Sequence, residues 1–212
     1  MHPSLIPEIE TPRLLLRPWR DEDLDAYAEM NADPEVRRFM FPARPLTREE
    51  SEREVEGMLE QWRRLGFGHW AVELRDSGEL IGRTGAKRHG DWDLDPENTE
   101  VGWLYSRSAW GRGLATEGAI AAVRFCLEEL QRPEVISIAD LGNLASHRVM
   151  RKAGLEWAGV RRWYRDAKHS ASVPNPSGDA KHSASVPNPS ERRLDVLWYS
   201  SKRTAEKTEA RK

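Results

Sequence analysis

Two glycines one residue apart, with a strand pattern before them and a helix pattern after, restrict this 212-residue chain more than any other feature. Thr99 to Tyr105 reads as a strand, Trp110-Gly111-Arg112-Gly113-Leu114-Ala115-Thr116-Glu117 turns into a helix, and the helical pattern runs through Leu130 until Pro133 stops it. Glycine allows the backbone to turn tightly and approach a ligand closely. The unpaired amides of a first helical turn carry partial positive charge. Together they suit a pyrophosphate, so a phosphate-bearing cofactor is implied, although a Gly-x-Gly turn also serves as a plain tight connection. No Gly-Lys-Ser/Thr follows, which excludes a Walker loop. A third glycine and a parallel strand-helix-strand context are absent, which excludes a dinucleotide fingerprint.

The remaining patterns organise around that turn. Leu14 to Arg17 is a short strand ended by Pro18, and Asp21, Glu22 and Asp23 load the first turn of a helix carrying Leu24, Tyr27 and Ala28 on one face. Thr47 and Glu50 match a capping box, followed at helical spacing by Val55, Met58, Leu59 and Trp62 until Gly66. His69 to Leu74 and Leu80 to Lys87 form a hairpin about Asp76-Ser77-Gly78, and Asn98 to Tyr105 adds a strand beyond an acidic connection. Val135 to Ala139 is a buried strand, Ala145 to Ala153 a helix closed by Gly154, and Leu194 to Ser200 the last strand.

Composition narrows the classes of function. The 33 basic and 35 acidic residues nearly cancel, which argues against a nucleic-acid partner. The longest run without charge, His169 to Gly178, is polar and too short for a membrane span or a secretory signal, so a soluble, cytoplasmic protein is expected. The single Cys126 makes no internal disulfide; between Val123, Phe125 and Leu127 it reads as a buried thiol. No His/Cys cluster has zinc-ligand spacing, so no metal is expected. Asp166 to Ser177 recurs letter for letter as Asp179 to Ser190, a 12-residue unit rich in Ser, Pro and Asn with a period of 13 and Gly178 between the copies. It reads as a disordered surface connection between the last two strands, with a lid or docking tail as the functional alternative. One domain over residues 9–201 is expected, followed by a charged tail at 202–212.

In order, Thr11-Pro12-Arg13-Leu14-Leu15-Leu16-Arg17, Gly68 to Val72 with Leu80-Ile81-Gly82, Thr99 to Tyr105, the glycine turn, Asn143-Leu144-Ala145-Ser146, Met150 to Leu155 and Asp195 to Tyr199 resemble the GNAT acetyltransferase superfamily. The branch acting on ribosomal-protein N-termini (RimJ/RimL-like) is the nearest in appearance. The resemblance implies an α/β fold, a mixed and mostly antiparallel central sheet flanked by helices, with a splayed strand pair that receives acetyl-CoA. It implies that the amides of Gly111, Arg112, Gly113, Leu114, Ala115 and Thr116 hold the pyrophosphate, with Arg112 close to it. Asn143 and Ser146 would lie along the pantetheine arm. The strand at Trp103, Leu104 and Tyr105 would part from Val135 to Ala139, and one freed amide, that of Leu104, would polarise the thioester carbonyl. The chain departs from its relatives at Ser108, where many carry Gln or Arg, with Arg107 beside it. At Met150 some relatives carry a tyrosine that serves as thiolate acid.

The implied reaction is transfer of acetyl to a primary amine by direct attack in a ternary complex. Glu100 is the candidate base and needs burial or a water relay to act near neutral pH; His89 is the alternative. Ser146 either orients or protonates the leaving thiolate or caps its helix. Deprotonating an α-amine at pH 7 costs on the order of 1 kcal/mol and a lysine on the order of 4.6 kcal/mol, so a site without a strong base favours an α-amine. The resemblance alone implies that this amine is a protein or peptide N-terminus. Polyamines and aminoglycosides stay open as acceptors, as does a homodimer. Asp91, Asp93, Asp95 and Glu97 either attract a cationic amine or form a solvated loop. A non-catalytic acyl-CoA-binding module and an interaction scaffold built on the repeat are the rival classes.

Overall fold

The computed structural model describes residues 6–90, 92, 94–165 and 192–202. Its strands are β1 Ile9–Glu10, β2 Leu14–Arg17, β3 His69–Leu74, β4 Leu80–Lys87, β5 Glu100–Tyr105, β6 Glu134–Asp140, β7 Glu156–Arg165 and β8 Arg192–Lys202. They form one sheet in the order β1-β2-β3-β4-β5-β6-β8-β7. Neighbours run antiparallel except β5 and β6, which are parallel and connected through the helix Leu114–Arg124, so a parallel strand-helix-strand unit, expected to be absent, is present around the glycine turn. Helices α1 Asp23–Ala32, α2 Pro34–Arg37 and α3 Arg48–Leu65 precede β3, α4 Leu114–Arg124 follows β5, and α5 Leu144–Lys152 follows β6. The expected mixed sheet flanked by helices is the observed fold.

Local chemistry explains the strongest elements. Thr47 and Glu50 close the capping box in both directions, Glu50 N–H to Thr47 Oγ1 at 3.2 Å and Thr47 N–H to Glu50 Oε2 at 2.9 Å. Gly66 ends α3 in the left-handed conformation at φ 72°, open to glycine without strain. Alternation then divides the sheet residues between two faces. Leu16, Trp70, Val72, Val101 and Tyr105 pack with Leu114, Ala119, Ala122 and Met150 of α4 and α5. On the opposite face Ala71 and Leu104 meet Trp19, Tyr27, Met30 and Val55.

Several boundaries differ from the sequence expectation. The helix through Leu130 is α-helical only to Arg124; Phe125–Glu129 winds as a π turn with Leu130 N–H bonded to Phe125 O at 3.0 Å. The extra residue in that turn lets adjacent Phe125 and Cys126 both face the core, Phe125 edge-on to Trp70 at 5.0 Å and Cys126 fully buried. The first helix begins at Asp23, and this carboxylate is buried against Arg17 in a two-pronged pair, each prong 2.7 Å, rather than solvated at the helix start. The short β1, the single-turn α2 and the bounds of β7 were not foreseen; α2 carries a signature in Asp33-Pro34, where Asp33 Oδ1 caps Glu35 N–H at 2.8 Å. The duplicated segment 166–190, residues 203–212 of the expected tail, and Asp91 and Asp93 lie outside the described residues. Among the described residues no helix is long and apolar enough to cross a membrane.

The seat of α4 matters most for the site. Thr84 and Tyr105 share a hydroxyl hydrogen bond of 2.8 Å beneath Gly118, where an added Cβ would come within 2.3 Å of the tyrosine oxygen. Gly118→Ala is therefore expected to destabilise the fold by about 1–3 kcal/mol through overpacking. Denaturant melts of Gly118→Ala, Tyr105→Phe and the double variant check this, with part of the loss recovered in the double variant because the obstructing oxygen is gone.

Candidate functional site

The parallel pair at the middle of the sheet is joined at a single register position, Glu100↔Ile136. Ile136 N–H reaches Thr99 O at 2.9 Å and Ser137 Oγ reaches Val101 O at 2.7 Å; no second register pair links the two strands. Their divergence is the splayed strand pair expected from the sequence.

Strand alternation determines which peptide groups face the gap. The carbonyls of Thr99 and Val101 point to β6, whereas Ser106 N–H points to β4, bonding Ile81 O at 2.9 Å. Trp103 and Tyr105 share the parity of Thr99 and Val101, so their peptide groups face the gap; those of Leu104 run into the ladder with β4 opposite Arg83. This corrects the expectation that the Leu104 amide is the freed donor. The Leu104 side chain packs in the core under α1 and α3. The Tyr105 carbonyl accepts the Trp110 indole N–H at 2.9 Å, which leaves the Trp103 peptide as the one at hand. The Tyr105 phenol is pushed up by burial, its bond with Thr84 opposing this in part, and it faces α4.

The glycine turn stands beyond the end of β5. Gly111 and Gly113 have φ of 72° and 78°, a conformation side chains rarely adopt, with exposed Arg112 between them. Gly113 precedes α4 without a side-chain cap, and the first helical amide to find a carbonyl is Glu117 N–H, on Gly113 O at 3.1 Å. The amides of Leu114, Ala115 and Thr116 have no partner within the helix and form the positive end of its dipole. This is the donor set a diphosphate requires, and the diverging strands supply a slot for an extended chain, so the residues present fit a coenzyme A thioester. Ser108 is bonded to Ser106 Oγ at 2.9 Å, and Arg107 pairs with Asp33 at 3.5 Å. The positions that depart from the family pattern are thus engaged locally.

Asn143 caps α5, its Oδ1 accepting Ser146 N–H at 3.1 Å. The cap role considered for Ser146 therefore belongs to Asn143, and Ser146 stands half-buried in the first turn. Met150 is buried in the core where relatives carry a tyrosine, so α5 delivers no phenol there.

Both candidate bases meet in space. His89 Nε2 lies 3.1 Å from Glu100 Oε2, and both side chains are largely buried. Asn98, which sequence reasoning took only as a strand start, fixes this pair: its amide accepts from His89 N–H at 3.1 Å and donates to the carbonyls of His89 at 2.7 Å and Asp95 at 2.8 Å. Glu97 of the acidic connection is held by Arg88 at 2.8 Å, and Asp95 closes its own turn through Glu97 N–H at 2.8 Å. Opposite on the sheet, Gly85 faces Gly102, leaving bare backbone between the pairs Arg83↔Leu104 and Lys87↔Glu100. A Cβ on Gly102 would stand 3.3 Å from the Glu100 carboxylate.

Beside this strip lies a buried polar chain that sequence reasoning missed. Arg83 Nε donates to Tyr27 Oη at 3.0 Å, Tyr27 donates to Glu54 Oε2 at 2.8 Å, and Arg37, fully buried, holds Glu54 Oε1 at 3.0 Å. Burial works to raise the Glu54 carboxyl, but Arg83, Arg37 and the Tyr27 hydroxyl outweigh it and hold it below the usual range. His69, at the edge of the same strip, is held well below its ordinary value by burial and then by Arg83, Lys87 and His89, so it stays neutral. The residue types gave no cue, because the apolar periodicity of α1 and α3 accounts for both helices without them. Among the described residues no cluster of three or more His, Cys, Asp or Glu is placed to hold a metal.

The chain belongs to the GNAT acetyltransferase family: residues 13–156 match the acetyltransferase (GNAT) domain. The family is one of acetyltransferases, which favours an enzyme over a non-catalytic module. Among its relatives is the FsC-acetyl coenzyme A-N(2)-transacetylase of Aspergillus fumigatus, 32% identical over 162 residues, which cover 70% of this chain and 65% of that protein. The crystal structure of an acetyltransferase from Agrobacterium tumefaciens is 26% identical and superposes with a TM-score of 0.66 over 93% of this chain and 95% of its own. RimL, a ribosomal alpha-N-protein acetyltransferase solved with coenzyme A, shares the fold at a TM-score of 0.65 and 15% identity over 93% and 98% of the two chains.

Cys126 takes no part in this site. Burial pushes its thiol up to about 12, with Arg132 opposing weakly, so the thiolate forms only far above neutral pH. A thiol reagent at pH 8 is expected to leave Cys126 unmodified in the folded protein and to titrate it fully in denaturant, read by absorbance.

Proposed function

We propose that the protein acetylates the α-amine of a polypeptide N-terminus by direct attack within a ternary complex. The observation that carries this is the gap opened by the single rung between β5 and β6, next to the turn of unpartnered amides. The diphosphate rests on the amides of Gly111 to Thr116 with Arg112 alongside, and the pantetheine arm runs between β5 and β6 past Asn143 and Ser146. Bound acetyl-CoA supplies the acetyl group in activated thioester form. The Trp103 amide donates to the carbonyl oxygen as negative charge develops there, a preorganised donor in a water-poor slot. Glu100 takes the proton of the attacking amine, and His89, hydrogen-bonded to it at 3.1 Å, accepts or shares that proton. Ser146 lies on the side where the thiolate departs.

The weak intrinsic basicity of a carboxylate supports an α-amine over lysine, because the α-amine needs on the order of 1 kcal/mol to lose its proton at pH 7. The RimL fold neighbour, named as an alpha-N-protein acetyltransferase, favours the same acceptor. A small amine is the second reading, favoured by the FsC transacetylase relative. A thiol-release screen with acetyl-CoA against peptide N-termini, polyamines and aminoglycosides decides between them; turnover on peptides is expected, and turnover confined to small amines overturns the preferred acceptor.

Two substitutions test the machinery. Gly113→Asp forces a side chain into a left-handed position and sets a carboxylate against the diphosphate, so CoA affinity by calorimetry is expected to fall by about tenfold or more. Glu100→Gln keeps the shape and removes the base: turnover at neutral pH is expected to fall about 100-fold while CoA affinity holds, and a wild-type pH-rate profile removes Glu100 from the mechanism.

A further inference from the structure

We propose that the N-terminal segment Thr11–Arg13 is part of the donor-binding apparatus, with Arg13 as the positioning residue that holds the glycine turn in shape through Glu117 and the Arg112 carbonyl. The proposal rests on the assignment of that turn as the diphosphate site.

Glu117 stands in the first turn of α4, where a carboxylate suits the helix dipole but opposes an incoming diphosphate. Each of its oxygens is taken by the N-terminal segment. Oε1 accepts Thr11 Oγ1 at 2.7 Å and Arg13 N–H at 2.8 Å; Oε2 accepts Arg13 Nε at 2.7 Å and Nη2 at 2.6 Å. Burial works to raise the Glu117 carboxyl, yet the bonds from Thr11, the Arg13 amide and the Arg13 guanidinium more than offset it, so it stays ionised. The result is a carboxylate held in place with its charge paired to Arg13.

The remaining arm of Arg13 acts on the turn itself. Nη1 donates to Arg112 O at 2.9 Å, and Nη2 lies 3.6 Å from where a Cβ on Gly113 would project. Arg112 O and Gly113 N–H belong to one planar trans peptide, so a hydrogen bond that fixes the oxygen fixes the direction of the Gly113 amide. Gly113, on one side of this peptide, is left-handed and has no side chain to resist rotation, so an external tie helps keep the peptide aligned before a ligand arrives. Arg13 meets the need because a guanidinium is a planar fork, able to grip a carboxylate with one edge and a carbonyl with another. Its side chain is half exposed, so its positive charge borders the turn at the surface.

The test compares two donors, acetyl-CoA and S-acetylpantetheine, which lacks the diphosphate. Arg13→Ala and Glu117→Gln are expected to raise KM for acetyl-CoA and Kd for CoA by about tenfold with kcat changed far less, the scale of a lost charge-assisted contact. The loss with acetyl-CoA should exceed the loss with S-acetylpantetheine by a similar factor. Arg13→Lys keeps the charge but cannot bridge carboxylate and carbonyl together, so it should show a several-fold selective loss; it carries the test if Arg13→Ala does not fold. Equal losses with both donors, or CoA affinity at the wild-type value in Arg13→Ala and Arg13→Lys, overturn the proposal. A Gly113→Asp variant that binds CoA like the wild type overturns the diphosphate assignment itself, a result distinct from an indifferent Arg13.

Discussion

Peptide groups inside a sheet must find partners or water, and a buried edge without either is costly. At the centre of this sheet β5 and β6 share one register pair and then part, leaving peptide groups of β5 beyond Val101 directed into a gap. The neighbouring elements are arranged around that exception. The β4 ladder is continuous along the other side of β5, so the strand is held straight while its free edge is exposed. Gly118 and the Thr84–Tyr105 hydroxyl bond bring α4 close enough to the sheet that its unpaired amides stand beyond the strand end. A ligand with an extended polar chain and an anionic group at one end answers both needs at once.

The second layer of the site is electrostatic. Burying Arg37 and Arg83 on the sheet face under α1 and α3 is tolerable only because they are linked through Tyr27 and the partly buried Glu54, Arg37 to Glu54, Glu54 to Tyr27, Tyr27 to Arg83. That chain ends beside the strip floored by Gly85 and Gly102, with Glu100 at its far side. The polar face is thus charged and internally linked, and the Glu100 carboxylate is hydrogen-bonded to His89, whose backbone Asn98 ties in turn.

The sequence disclosed those parts whose causes are local. The capping box at Thr47, the hairpin at Gly78 and the left-handed glycines of the turn each follow from a few adjacent residues, and the structure has them where they were expected. The glycine turn and the order of motifs also made the family legible. What stayed hidden is set by pairing across long separations. The inversion between Leu104 and Trp103 depends on which edge of β5 meets β4, a matter of register. Arg13 meets Glu117 across 104 positions and Arg83 meets Tyr27 across 56, with no periodicity in either segment to announce it. The π turn after Arg124 was illegible because Phe125 and Cys126 satisfy a helical pattern equally well; only their packing against the core, Cys126 buried and Phe125 partly so, goes with the widened coil.

The lone rung at Glu100 and Ile136 also bears on mechanics. Across it, β1 to β5 form one half of the sheet and β6, β8 and β7 the other, with α4 and α5 spanning the seam from one side. Along this seam the two halves are joined by a single register pair, and the packing of α4 and α5 carries the connection. A guest lodged in the cleft then touches both halves and bridges the seam that the backbone leaves unstitched.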